Sequence, residues 1–434
     1  MLAIAWGWFL LYSYPGFLTQ DSFDHLNEAR SRIYTDAHPP VIDVLWRWVD
    51  KLIAGTFGML LLQSLLLLFG LYIVLRRTLG PRAGAWATAA LYVYPPVMLP
   101  MAVIWKDCLM ASSLMVGIGA LLSERRWVRH VGLAALFLAT AVRYNAAAAT
   151  FAPILILFEA KEGLRWFVRY PVAVAVWLAI TFTAFGLNVR LTDKPMYYWH
   201  SSLAVYDIAG TLIHVDPPPT DAEVEQLLAG TELRQHEDIV GHMHAAYSTT
   251  NYVTLVGDKP TNLWNLPTGG TEPAPRAQRD AIAAAWKTTV FDHPGAYLVH
   301  RFGVFANCLG LSTRRIPGAF TAREPVWPDY TSEKLGLSTG SSSAQRALSE
   351  AAQWCVKALP IFTPWLYLVV LLALLPLART QRLEASLLLS GLGLEASLVL
   401  LAPSSDYRYS HWMILATLTA AILLTARRMG YKRA

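Results

Sequence analysis

The chain has 434 residues, 55% of them hydrophobic and only 15% charged, with 16 Trp and a formal net charge of +6. This balance excludes an ordinary soluble domain and predicts a polytopic membrane protein. The basic residues are scattered between apolar runs and form no single patch, so bilayer orientation explains them better than nucleic acid does. The three cysteines are too few for a disulfide framework, and Cys308 and Cys355 read more simply as buried thiols than as a bridge.

A spanning helix needs about 20 mainly apolar residues. On that measure spans are predicted near 1–16, 56–75, 83–102, 107–122, 130–142, 145–159, 170–187, 358–378, 383–402 and 409–426. The first lacks a basic leader and a small-residue cleavage site, so it reads as a retained helix. Arg76, Arg77 and Arg82 follow the second span, Arg125, Arg126 and Arg129 the fourth, and Lys161, Arg165 and Arg169 the sixth. Arg379 and Arg382 follow the eighth, and Arg427, Arg428, Lys432 and Arg433 close the chain. With ten spans these clusters share one side, which predicts a multi-pass protein with both termini in the cytoplasm.

The expected fold is therefore mainly α, with about ten transmembrane helices and a large external insert. Its parts are an N-terminal membrane region 1–187 containing a first outer loop at 17–55, an insert at 188–357, and C-terminal membrane helices 358–434. Within the insert, "DAEVEQLLAG" and "AQRDAIAAAWKTTVFDHPGAYLVHRFGVF" have helical periodicity, and "GLSTGSSSAQ" reads as a linker. The insert is expected to form a small helical or mixed lid.

The first outer loop, "YPGFLTQDSFDHLNEARSRIYTDAHPP", is long and acidic for a connection between two apolar segments. Other outward segments are "IWKD", "VRYN" and "SSDYRYSHW". Together they put Asp21, Asp24, Asp36, His38, Lys106, Asp107, Arg143, Tyr144, Asn145, Asp406, Arg408 and His411 near span ends. Ionisable groups so close to hydrocarbon are costly and face a polar cavity or a partner. Cations from three loops with acids beside them have the pattern of an anion site, since Arg grips phosphate with paired donors and Lys adds a compact charge.

Plainer roles compete at each position. Asp21 is a favoured helix cap, Asp24 and Glu28 lie four apart as a solvated face, and His38 before Pro39-Pro40 suits a turn. Lys106 and Asp107 are able to neutralise one another at a helix start, Arg143 to anchor a span, and Asp406 to pair with Arg408. His242 and His244 in "GHMHAAY" have a metal-like spacing, but no third ligand type accompanies them in sequence.

"FLTQDSFDHLNEA" with "YTDAHPP", "IWKD", "RYN" and "DYRYSHW", in that order, resemble the GT-C class of integral membrane glycosyltransferases, which includes the aminoarabinose transferases and protein O-mannosyltransferases. The resemblance covers the membrane region and not the insert. It implies transfer of a sugar from a polyprenyl-phosphate donor to a lipid, envelope glycan or protein acceptor, outside a bacterial cytoplasmic (inner) membrane. Carried onto this sequence, it implies Asp21 as the base or a metal ligand, and Lys106, Arg143, Arg408 and His38 as donor-phosphate ligands. Asp24, Tyr144, Tyr407 and Tyr409 become substrate contacts. Asp21 with Asp107 would hold a divalent ion (Mg2+ or Mn2+), although Lys106-Asp107 departs from the Asp-Glu pair of some members. An O-antigen ligase or polymerase, or a flippase of lipid-linked sugars, is the alternative. Transport would favour charges at span centres instead of span ends.

The residue types suit the chemistry without the family. Glycosyl transfer needs a base for the acceptor hydroxyl and stabilisation of the departing phosphate. An outward Asp beside Lys and Arg supplies both.

Overall fold

The computed structural model describes all residues except 160–162, 164, 235, 258, 267–271, 313–334, 338–340 and 432–434. Among them, extended pairing is limited to isolated bridges, and helices dominate. The N-terminal region contains α1 (Leu2–Ser13), α2 (Gln20–Ser31), α3 (Pro40–Leu52), α4 (Phe57–Tyr92), α5 (Pro95–Met101), α6 (Lys106–Leu121), α7 (Arg126–Val142), α8 (Ala146–Leu157) and α9 (Trp166–Leu191). A π-turn at His200–Ala204 leads into α10 (Val205–Leu212), followed by α11 (Asp221–Leu227), α12 (Ile239–Ala246), α13 (Arg276–Asp292), α14 (Pro294–Cys308) and α15 (Ser343–Ala358). The chain ends in α16 (Pro364–Ala378), α17 (Arg382–Leu401) and α18 (His411–Arg428).

Each expected span contains helix, but only four helices among the described residues are long and apolar enough to cross a bilayer: Phe57–Tyr92, Trp166–Leu191, Arg382–Leu401 and Tyr407–Arg428. The apolar helices α1, α8 and α16 are shorter. Local chemistry sets these limits. Pro95 and Pro96 lack the N–H needed to continue a helix, so the expected span 83–102 breaks into the end of α4 and the separate α5. Within α4 the chain turns at Gly80 (φ 77, ψ 173) before Pro81, and a Cβ on Gly84 would lie 2.6 Å from the Arg76 Cα. The arms are therefore pressed back to back, and only glycine fits at that contact.

Helix α6 is the central post, with every residue from Asp107 to Leu121 buried. It packs against α4 and α7. The α6–α7 contact is close because Gly117 and Gly132 face one another, a Cβ on Gly132 coming within 3.0 Å of the Gly117 carbonyl oxygen. Burying apolar side chains this densely supplies the main packing energy where helices meet.

The described insert is helical, as its periodicity predicts. Helix α11 starts at a Thr220–Glu223 capping box, and α13 and α14 are separated at His293-Pro294. The expected linker lies partly outside the described residues. The insert's hydrophobic core also takes in Leu398, Ala402 and Tyr409 from the C-terminal helices, and α15 contributes Ala352 to the larger core. Arg301 donates to the Ala402 carbonyl at 2.9 Å, and Ser405 N–H to that of Thr250 at 2.7 Å. Cys308 and Cys355 are both free thiols.

The two ends of the bundle differ chemically. At one end Arg169 donates to the Ile156 carbonyl at 2.6 Å, Arg382 pairs with Glu159 at 2.8 Å, and Arg427 pairs with Glu384 at 2.5 Å. Arg408 and Lys106 stand at the other end, at the starts of α18 and α6.

Candidate functional site

The acidic loop reaches that second end through backbone pairing. Phe17 N–H donates to the Ala102 carbonyl at 2.8 Å, and Ile104 N–H to that of Phe17 at 2.9 Å. Ser22 Oγ accepts from the Thr19 N–H at 3.2 Å and donates to the Ile104 carbonyl at 2.7 Å. Trp105 Nε1–H donates to Thr19 Oγ1 at 2.8 Å. The N-cap of α2 is therefore Thr19, and Asp21 stands in the first turn with its carboxylate free for another partner.

That partner is Arg408, whose Nη1 lies 2.8 Å from Asp21 Oδ2. Its Nε lies 3.0 Å from Asp406 Oδ2, and the Arg408 backbone N–H donates to Asp406 Oδ1 at 3.1 Å. The guanidinium sits over the rings of Trp105 and Tyr409, 4.9 and 5.5 Å from their centroids. Two carboxylates and two aromatic rings thus fix its plane, and planar donors so fixed suit phosphate.

Lys106 and Asp107 do not neutralise each other. Asp107 contacts Arg143, whose Nε donates to Asn145 Oδ1 at 2.7 Å and whose guanidinium lies 4.9 Å from the Tyr409 ring. Lys106 Nζ donates to His38 Nδ1 at 2.6 Å and has no carboxylate among the described ion pairs. The His38 ring lies 4.7 Å from that of His25, which pairs through Nδ1 with Asp43 Oδ1 at 2.6 Å.

The loop's titrations follow from this packing. Burial opposes ionisation of Asp21, but Arg408, with Lys106 behind it, overcomes burial and holds the carboxyl well below the usual range. Asp24 is pushed up to about 6 by burial and by the Asp21 charge, against a 2.7 Å hydrogen bond from Gln20. Burial and the Lys106 charge keep His38 well below its ordinary value, so its neutral ring accepts the Lys106 proton donor. The same two causes bring His25 down to about 3. Burial raises Asp43, so the His25–Asp43 pair is held without net charge.

The structure brings Asp21, His38, Lys106, Asp107, Arg143, Arg408 and Tyr409 to one end of the bundle. Two residues from the same loops point elsewhere. Tyr144 is 38% exposed, beside Phe185, with its hydroxyl 3.5 Å from the Asp36 carbonyl. Tyr407 is buried against Phe362. Glu28, expected on a solvated face, instead accepts from Thr35 N–H and Oγ1, both at 2.8 Å. His242 stacks on His236 with centroids 3.7 Å apart and faces the Thr261 carbonyl.

Sequence reasoning missed His25 with Asp43, and Glu395, which accepts from Ser410 Oγ at 2.9 Å. Usable signals existed: His25 lies one helical turn beyond Asp21, and Glu395 is an acid inside an apolar run.

Among the described residues, no group of three or more His, Cys, Asp or Glu side chains is gathered for a metal. Asp21 and Asp107, the pair expected to share an ion, each face a guanidinium instead.

No family model matches the chain, and no curated protein matches it. Among solved structures it is similar to the crystal structure of ArnT from Cupriavidus metallidurans bound to undecaprenyl phosphate. The identity is 14%, 97% of this chain and 76% of that one are covered, and the TM-score is 0.36. At that score the likeness is too loose to transfer a role to any residue, and the reading of the site rests on its own side chains.

Proposed function

We propose that the protein is a membrane glycosyltransferase that moves a hexosyl or pentosyl group from a polyprenyl-phosphate donor to a hydroxyl of a lipid, envelope glycan or protein, on the outer side of the cytoplasmic membrane. One observation carries this reading. Lys106, at a helix start, has a neutral imidazole as its partner and stands near an Arg408 whose plane is already fixed. Cations left with donors to spare at the end of an apolar bundle suit an anion that arrives on a lipid.

The donor phosphate accepts from Lys106 Nζ and from the N–H groups of Arg408 that Asp21 and Asp406 leave free, with His38 holding the ammonium in place. The acceptor oxygen then forms a bond to the anomeric carbon, the bond from that carbon to the phosphate oxygen breaks, and the electron pair leaves with the polyprenyl phosphate. The acceptor proton passes to Asp21. With Arg408 beside it Asp21 is a weak base. A phosphate that shares Arg408 and Lys106 takes up part of their charge and raises the basicity of Asp21, so donor binding precedes acceptor activation. Because Asp21 and Asp107 are each matched by an arginine, we propose that transfer needs no ion between them.

The test is incubation of the purified, reconstituted protein with an undecaprenyl-phosphate-linked radiolabelled sugar and an envelope extract, with and without a divalent chelator. The reading expects a covalent glycosylated product that survives chelation. Movement of the labelled lipid between leaflets without any covalent product would replace it with the flippase alternative.

A further inference from the structure

Helix α3 has two distinct faces. Ile42, Asp43 and Trp46 are buried. On the other side stand Trp48, Lys51 and Leu52, and half-buried Arg47 lies at the flank, one turn beyond Asp43 and one turn before Lys51, with its Nη1 3.5 Å from the Tyr34 hydroxyl. Trp48 is 57% exposed, Leu52 85% and the following Ile53 39%. This is large apolar area to leave facing water.

Both ends of α3 lie at one end of the bundle. Val41 N–H, in its first turn, donates to Asn188 Oδ1 at 3.2 Å, near the end of α9. Its other end runs through Gly55 directly into Thr56, the N-cap of α4, whose Oγ1 donates to the Pro15 carbonyl at 2.9 Å. Helices α4 and α9 are both long and apolar enough to cross a bilayer. With its two ends pinned to span ends, the 13-residue helix, about 20 Å long, runs along the rim of the bundle and not through it. It packs on α4, α7 and α9, and α9 is itself largely exposed along its length, as a lipid-facing helix is.

Charge on this face is selective. Asp50 is taken by Arg30, with Nε and Nη2 at 3.0 and 2.9 Å from its two oxygens, and by the Gly55 N–H at 2.7 Å. Lys51 Nζ lies 4.1 Å from the Trp48 ring centroid and the Arg47 guanidinium 5.8 Å from it. Neither cation has a carboxylate among the described ion pairs. An indole beside two cations that lack carboxylate partners, with leucine and isoleucine next to it, has the make-up of a bilayer-interface element: apolar parts at the acyl boundary and cations at the phosphates.

We propose that Arg47, Trp48, Lys51 and Leu52 form a binding face for acidic phospholipid headgroups in the leaflet on the site's side. The face holds α3, and with it His38 just before the helix, at the depth of lipid phosphates. The inference does not depend on the transferase reading.

The full chain is tested in nanodiscs of phosphatidylcholine with one quarter phosphatidylglycerol. A nitroxide is placed at Leu52→Cys in a Cys355→Ser background, since Cys108 and Cys308 are buried. Glu225→Cys on α11 serves as the water-exposed control. The label at 52 should collide more with oxygen than with a water-soluble nickel chelate, and the control should show the reverse. In native mass spectrometry, R47Q/K51Q should bind its tightest phosphatidylglycerol about tenfold or more weakly than the parent, on the scale of two basic side chains at an acidic surface. Nickel dominance at 52, shielding from both reagents by another part of the chain, or unchanged phosphatidylglycerol affinity in R47Q/K51Q would each overturn the proposal.

Discussion

Asp207 in α10 and Asp21 in α2 each meet an arginine, and their surroundings differ in closure. Asp207 accepts from Trp286 Nε1–H at 2.8 Å, contacts Arg301, and lies 3.3 Å from His300 Nε2. His300 accepts in turn from the Tyr247 hydroxyl at 2.7 Å, Arg301 reaches the Ala402 carbonyl, and Asp207, His300 and Arg301 are all within 1% of full burial. Each of these ionisable side chains is engaged by another protein group. Around Asp21 the pairing is incomplete: the Asp21 side chain is 25% exposed, Lys106 faces a neutral ring, and Arg408 keeps donors free. A closed ionic cluster ties the insert to α17. An open one of similar composition has capacity left for a ligand.

The largest effect expected is on the closed side. Asp207→Ala leaves Arg301 buried without its counter-charge, at a cost of about 3–5 kcal/mol. Thermal unfolding in detergent should show a strongly destabilised protein, whereas Asp21→Asn, which leaves Arg408 paired with Asp406, should lose clearly less. Equal melting shifts for the two would erase the distinction between them.

On the open side, Arg408→Ala should weaken donor binding by about 2–5 kcal/mol, the scale for truncating one partner of a desolvated charged contact. Acceptor KM should change much less, and Arg408→Lys should recover only part of the loss, because the planar fork is gone. Unchanged affinity for undecaprenyl phosphate would reduce Arg408 to a clamp for α2. Next in size is Asp21→Asn, for which transfer should fall about 100-fold with donor binding retained, the scale of a positioned general base. Near-normal turnover in this variant would remove Asp21 from the chemistry.

The sequence revealed the helical membrane-type architecture, and which loops gather at one end of the bundle, better than the pairing inside the site. Apolar runs and turn residues are local signals, which is why helices lie within all ten expected spans. Helix length was less legible where Pro95-Pro96 acts inside a run that hydropathy averages over, whereas the "VRYN" break falls between the expected spans 130–142 and 145–159, as it does between α7 and α8. Pairing is long-range: that Lys106 turns to His38 while Asp107 turns to Arg143 depends on how α6 meets α3 and α7, and adjacency in sequence suggested the opposite. The Asp43–His25 pair, eighteen residues apart, was hidden for the same reason.

The smallest effect separates two acids one helical turn apart. Asp24 shares α2 with Asp21, but it meets only a Gln20 amide, and burial with the neighbouring charge pushes it up to about 6. A raised carboxyl binds its proton more tightly in the folded state than in the unfolded chain. Its contribution to stability is therefore fully present below the unfolded value near 4 and is lost as pH rises towards 6, leaving a constant penalty above that. Asp24→Asn carries no charge at any pH, so it should be more stable than the parent at pH 8, by about 1–2 kcal/mol once solvent screening of a part-exposed group is allowed for. Near pH 4 the gain should disappear. Melting temperatures of both proteins across pH 4 to 8 give the comparison directly, and transfer by Asp24→Asn should fall far less than by Asp21→Asn. A gain that stayed constant with pH would show that Asp24 titrates in its ordinary range and that the charge of Asp21 does not reach it.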